Sequence, residues 1–127
     1  MRVVDTSAWI EWLLGRALGK RLEPKLPPND ERIVPTIVQY ELMRAPIRAL
    51  SRAQADIALA FSNKLAVRQL DIDLANVAVD YTARHSLAIA DAIIYAAAMK
   101  HSAGLLICDA HFARLPSVVY FAKSPSP

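Results

Sequence analysis

A chain of 127 residues, 54% hydrophobic and 21% charged with only three glycines, suits one domain with a sizeable core and excludes a linker-like or disordered protein. Its single cysteine excludes an internal disulfide framework and a cysteine-cage zinc site, which points to a reducing, cytoplasmic setting. The formal charge of +3 is compatible with a nucleic-acid partner without demanding one, and no apolar run approaches the roughly 20 residues of a membrane span.

RVV at 2–4 predicts a short buried strand, and an acid as early as Asp5 interrupts any amino-terminal signal pattern. DTSAWIEWLLG then predicts a helix capped by Thr6 or Ser7 and ending near Gly15. LEPKLPPNDE, 22–31, carries three prolines and predicts a loop. RIVP at 32–35 is a second strand, and TIVQYELMRA at 36–45 a helix that Pro46 ends or kinks. Helical spacing resumes over 47–64 at Ile47, Leu50, Ile57 and Phe61. AVRQLDI, 66–72, predicts a strand, and Asp73 caps a helix over LANVAVDYTARHS. A further helix covers about 88–101, GLLIC at 104–108 is a strand, AHFARL a helical turn, and SVVYF at 117–121 the last strand. Cys108, following GLLI, reads as a small buried side chain, and residues 122–127 as a flexible tail.

Short strands alternating with helices imply parallel βαβ units, and so an α/β fold with three layers around a mainly parallel sheet. Such sheets bind ligands beyond the carboxyl ends of their strands. Asp5 directly follows the first strand and Asp109 directly follows GLLIC. Glu41 falls four residues after Ile37, in register with it, and Asp91 is the one carboxylate in LAIADAIIYAAAM, residues 87–99. Each acid alone has an ordinary role: Asp5 and Asp109 as helix caps, Glu41 as a partner of Arg44, Asp91 as a first-turn residue favoured by the helix dipole. Brought together they repel, and a hard divalent cation such as Mg²⁺ or Mn²⁺ removes that penalty. His85, His101 and His111 are scattered along the chain and suit surface or capping roles.

The order of these pieces resembles the PIN-domain ribonucleases, most closely the small VapC-type toxins of toxin–antitoxin pairs. The matching pieces are VVDTSAWI, PTIVQYELMR with Glu41, LAIADAIIYAAA with Asp91, and GLLICDAHFARLPSVVYF with Asp109 and Phe112. Family members often carry a Thr two residues before the last acid and a second acid before the Phe, where this chain has Ile107 and His111. The resemblance implies a PIN-like α/β/α sandwich over 1–121 and a metal-dependent endoribonuclease that leaves a 5′-phosphate and a 3′-hydroxyl. It makes Asp5 and Asp91 the principal metal ligands, with Glu41 and Asp109 completing an acidic pocket around Mg²⁺ or Mn²⁺. Thr6 and Ser7 would supply hydroxyls to that pocket. It also implies a cognate antitoxin and a homodimer.

An acidic pocket must still attract RNA. Arg44, Arg48 and Arg52 recur every four residues, and Arg84, Lys100 and Arg114 lie near acid-bearing segments; of these, Arg44, Arg48, Arg84 and Arg114 are the candidate RNA contacts. Trp9 and Trp12 read as one apolar helix face, and the AWIEWLL and 47–64 segments as having apolar surface to spare for packing or interfaces. The competing reading is a non-catalytic α/β interaction module, either a degenerate nuclease or a receiver-like domain. A receiver needs an acidic pair and a late lysine, which this chain lacks outside Lys123.

Overall fold

Val3, Val4, Ile33, Val34 and Leu105–Ile107 are almost wholly buried, as the inner strands of a sheet covered on both faces must be. The computed structural model describes residues 1–44 and 50–123. In chain order these form β1 (Arg2–Val4), α1 (Thr6–Leu13), α2 (Ala17–Leu22), β2 (Arg32–Pro35), α3 (Thr36–Arg44), α4 (Arg52–Ser62), β3 (Ala66–Arg68), α5 (Ile72–His85), α6 (Ile89–Lys100), β4 (Gly104–Ile107) and β5 (Val118–Tyr120). The strands form one sheet in the order β3-β2-β1-β4-β5, and every pairing is parallel. Helices cover the sheet as in a PIN-like α/β/α sandwich. None of them is long and apolar enough to cross a membrane.

The strand order fixes where a ligand can sit. From β1 the chain steps outward to β2 and β3, then returns to place β4 on the other flank of β1. The connections on either side of the β1–β4 pair therefore diverge, and the crevice at their carboxyl ends is the topological switch point. α6 lies against β1, β2 and β4. Its residues Ala92–Ala98 are all buried, which accounts for the apolar run around Asp91.

Several element boundaries differ from the sequence expectation, each for a local reason. The cap of α1 is Asp5, not Thr6 or Ser7: its backbone is extended and its carboxylate accepts from Ser7 N–H. The first helix does stop near Gly15, which takes a left-handed φ of 64°, but a second short helix, α2, follows where none was predicted. The proline-rich 22–31 stretch holds two 3₁₀ turns, Glu23–Lys25 and Asn29–Glu31. β3 ends at Arg68, opposite Pro35, because it is an edge strand and its only neighbour stops there. Asp71, not Asp73, then caps α5 by accepting from Leu74 N–H. Ser51 and Gln54 form a reciprocal capping box that starts α4. Pro46, Ile47 and Arg48, and the tail residues 124–127, lie outside the described residues.

Trp9 packs edge-on against Trp12 at 5.9 Å and against Phe61 at 6.0 Å, and the buried Arg32 guanidinium lies over all three rings. Both tryptophans therefore belong to the core packing, while Ile10, Trp12 and Leu13 on α1 stay half-buried against it. In the 47–64 segment Ile57 does remain exposed.

α2 packs closely on α1 through Gly19, where an added Cβ would stand 2.3 Å from the Glu11 carbonyl oxygen and 2.9 Å from Trp12 Cα. Those are backbone atoms and cannot rotate away. Gly19→Ala is expected to destabilise the protein by about 1–3 kcal/mol, the steric cost exceeding alanine's better helix propensity of roughly 1 kcal/mol. A lower urea midpoint at unchanged m-value would show it; an unchanged midpoint would mean the helices part easily.

Candidate active site

Asp5 leaves β1 at the switch point and starts α1, only 5% exposed. Its Oδ2 accepts from the Ser7 amide at 3.0 Å and from Ser7 Oγ at 2.5 Å. Ser7 Oγ in turn accepts from the Cys108 amide at 2.9 Å, just past the end of β4. One hydroxyl thus ties the first acid to the neighbouring strand. Burial pushes the Asp5 carboxyl up from 3.8 to about 6; the Ser7 bonds hold it down in part, and the negative charges of Glu41 and Asp91 add to the rise.

Glu41 comes from α3, which begins directly after β2. It is partly buried, and Thr6 Oγ1 donates to its Oε1 at 2.7 Å across 35 residues of sequence. Its expected local partner does not engage it: the Arg44 guanidinium lies 5.8 Å from the centre of the Tyr40 ring. Thr6 and Ser7, consecutive in the first turn of α1, therefore orient two different acids.

Asp91 is the third residue of α6, in the first turn, where the positive end of the helix dipole favours a carboxylate. Burial pushes its carboxyl up, the charge of Asp109 adds to that, and His111 opposes it. Asp109 follows Cys108 after β4 and caps the 3₁₀ turn Ala110–Phe112, its Oδ1 accepting from His111 N–H at 2.9 Å. His111 Nδ1 stands 3.4 Å from Asp91 Oδ2 and 3.4 Å from Asp109 Oδ1. The sequence suits this histidine to a surface or capping role. The structure puts it between two of the four acids. Its one signal in the sequence is its position just before Phe112, where the resemblance to the PIN-domain ribonucleases implies an acid. His101 takes a capping role at the end of α6, whereas His85 is half-buried, stacked on Tyr81 and edge-on to Tyr95.

Charge couples the four acids in a line, Glu41 to Asp5, Asp5 to Asp91, Asp91 to Asp109. Among the described residues no lysine or arginine forms an ion pair with any of them. No three His, Cys, Asp or Glu side chains among those residues close on one point as a ready-made metal cage. The arrangement is an open acidic rim. That fits a hard ion which keeps several waters and takes only one or two protein carboxylates directly, as Mg²⁺ does. The donor chemistry fits too: the buried Asp5 carboxylate has no lysine or arginine paired with its ionised form among the described residues.

The basic residues divide by position. α5 and α6 run antiparallel, since Lys100 at the end of α6 pairs at 3.5 Å with Asp71 at the start of α5. Lys100 is thus at the far end of α6 from Asp91, and its nearness in sequence is misleading. Arg84, in the last turn of α5, is at the Asp91 end, with its guanidinium 5.0 Å from the centre of the Tyr81 ring. Arg44 lies one turn beyond Glu41, and exposed Arg114 follows the Asp109 turn. Arg52 belongs to α4 and pairs with Asp56 at 3.1 Å, so Arg44 and Arg52 do not share one helix. Arg48 lies outside the described residues.

A family model for the PIN domain matches residues 2–118. Among solved structures, a toxin–antitoxin complex from Klebsiella pneumoniae is similar at 25% identity, with a TM-score of 0.77 over 94% of this chain and 96% of that one. VapC20 from Mycobacterium tuberculosis, a sarcin–ricin-loop-cleaving toxin, is 24% identical, with a TM-score of 0.76 over 93% of this chain and 97% of that one. VapBC2 from Rickettsia felis, solved with a fragment of promoter DNA, reaches 0.72 at 14% identity over 97% and 98%. No curated protein matches the chain in sequence.

Because the Asp5 carboxyl titrates higher in the fold than in the unfolded chain, its contribution is fully present below about pH 4 and is lost as pH rises through about 6. At neutral pH the ionised Asp5 costs the metal-free protein about 3 kcal/mol. Asp5→Asn keeps an oxygen for the Ser7 bonds and is expected to raise the melting temperature at pH 7 by several degrees. It is also expected to flatten the dependence of stability on pH between 4 and 7. Melting curves of both proteins in chelator across that range test this, and parallel pH profiles would refute it.

Proposed function

The chain belongs to the PIN domain family, and from that premise we propose that it is a metal-dependent endoribonuclease, the toxin of a toxin–antitoxin pair. The observation that carries the reading is the line of four charge-coupled acids at the switch point of the sheet, none neutralised by a lysine or arginine among the described residues. All four fall within the matched span.

In this reading Asp5 and Asp91 would hold Mg²⁺ or Mn²⁺, with Glu41 and Asp109 completing the shell directly or through water. Such an ion would supply Lewis acidity to the phosphate and to an attacking water, and the products would carry a 5′-phosphate and a 3′-hydroxyl. The chain's own part is positioning. Ser7 fixes the rotamer of Asp5, and Thr6 holds Glu41 towards the same crevice, so neither acid can swing out to relieve repulsion. Arg44, Arg84 and Arg114 surround the rim from α3, α5 and the Asp109 turn, and they neutralise flanking phosphates with salt-dependent, sequence-independent affinity.

VapC20 is a sarcin–ricin-loop-cleaving toxin and the Klebsiella structure is a toxin–antitoxin complex, which supports an RNA substrate and a cognate antitoxin here. Exposed Tyr40 on α3 and Ile57 on α4, two helices that pack together, offer apolar area for that antitoxin or for a second copy in a homodimer.

Purified protein is expected to cleave RNA only with Mg²⁺ or Mn²⁺ and to stop in chelator. Asp5→Asn and Asp91→Asn are expected to lower the cleavage rate by about a hundredfold or more while remaining folded. An RNA pool left intact under every divalent ion, or an Asn variant as fast as the parent, would end the proposal.

A further inference from the structure

The rim contains one donor that is not an oxygen. His111 Nδ1 lies 3.4 Å from Asp91 Oδ2 and 3.4 Å from Asp109 Oδ1, so two acids from different elements face one imidazole nitrogen. Both separations exceed the roughly 2.7–3.2 Å of a good N–H···O bond. They are ion-pair contacts that also match the spacing of neighbouring ligands on one ion: at about 2.0–2.1 Å from a metal, adjacent donors stand roughly 2.9 Å apart in octahedral and 3.4 Å in tetrahedral geometry.

Local structure sets the ring there. Asp109 accepts from the His111 amide and opens the 3₁₀ turn Ala110–Phe112. Phe112, 1% exposed, anchors that turn in the core, which leaves the preceding side chain directed outward along the rim, 71% exposed. An exposed ring needs no folding energy from its contacts and is free to close on an ion. The three donors do not yet enclose a point, so binding requires that closure.

We propose that His111 is a nitrogen ligand of the cation at this rim, so that the site favours later first-row ions such as Co²⁺ over Mg²⁺. This rests on the metal-dependent reading above and adds a selectivity to it. Mg²⁺ prefers oxygen and gains little from imidazole; Co²⁺, Ni²⁺ and Zn²⁺ gain a strong bond. An aspartate at the same position would give an all-oxygen site, which suits Mg²⁺ and Mn²⁺.

Calorimetric titration of the metal-free protein with Mg²⁺ and with Co²⁺, and the visible absorption of the Co²⁺ form, test this in the parent, His111→Ala, His111→Asp and Asp91→Asn. In His111→Ala, Co²⁺ affinity is expected to fall by about tenfold or more with Mg²⁺ affinity nearly unchanged. His111→Asp is expected to shift the ratio further towards Mg²⁺, and the Co²⁺ spectrum should change in both variants. An unchanged Co²⁺-to-Mg²⁺ ratio and an unchanged spectrum in both His111 variants, with Asp91→Asn still abolishing binding, would overturn the inference and leave the nuclease reading standing. A parent protein that binds neither ion would overturn both. The exposure of the ring makes misfolding a poor explanation for any loss, and melting curves of each variant check it.

Discussion

A carboxylate held nearly out of water at the end of a buried strand, with no lysine or arginine paired with it among the described residues, is the condition on which the rest of this molecule turns. Ionised, Asp5 weakens the fold; neutral, it is of no use to a cation. The chain fixes the group in place regardless, through the Ser7 amide and hydroxyl, and places Glu41 and Asp91 near enough for their charges to raise it further. Stability and chemistry are therefore opposed at this position, a pattern expected of a site rather than of a core. The sheet order supplies the geometry, since only a return of the chain to the far flank of β1 brings the ends of β1 and β4 together.

The charge distribution answers a second requirement. In the proposed reading the line of acids would repel the RNA, so attraction must come from its edges. The antiparallel packing of α5 and α6 delivers Arg84 to the Asp91 end and removes Lys100 to the other, where it pairs with Asp71. α3 carries both an acid and, one turn on, an arginine laid over Tyr40 instead of paired with that acid. Leaving Glu41 free of Arg44 keeps its charge available and the guanidinium outward-facing.

Much of this was legible in the residues. Short apolar-rich runs announce β1, β2, β4 and β5, because buried parallel strands need little else, and the single acid in LAIADAIIYAAAM stands out against twelve apolar neighbours. What escaped depends on contacts between distant segments or on near-equivalent local chemistry. Asp5, Thr6 and Ser7 are all good caps, and only the strand geometry chooses the first. α2 is six residues long with a glycine inside, too short for a periodicity to show, and it forms because Gly19 lets it settle on α1. His111 acquires its meaning from Asp91, twenty residues away, which no local pattern reveals.

The Ser7 hydroxyl has a mechanical consequence. Its proton goes to an acid on one strand and its lone pair takes an amide from the adjacent one, so it works as a pin through the fork where β1 and β4 part. A displacement of the Cys108–Asp109 corner is thereby passed to Asp5 with little slack. The two walls of the crevice are joined through one hydroxyl, which ties the position of the first acid to that of the end of β4.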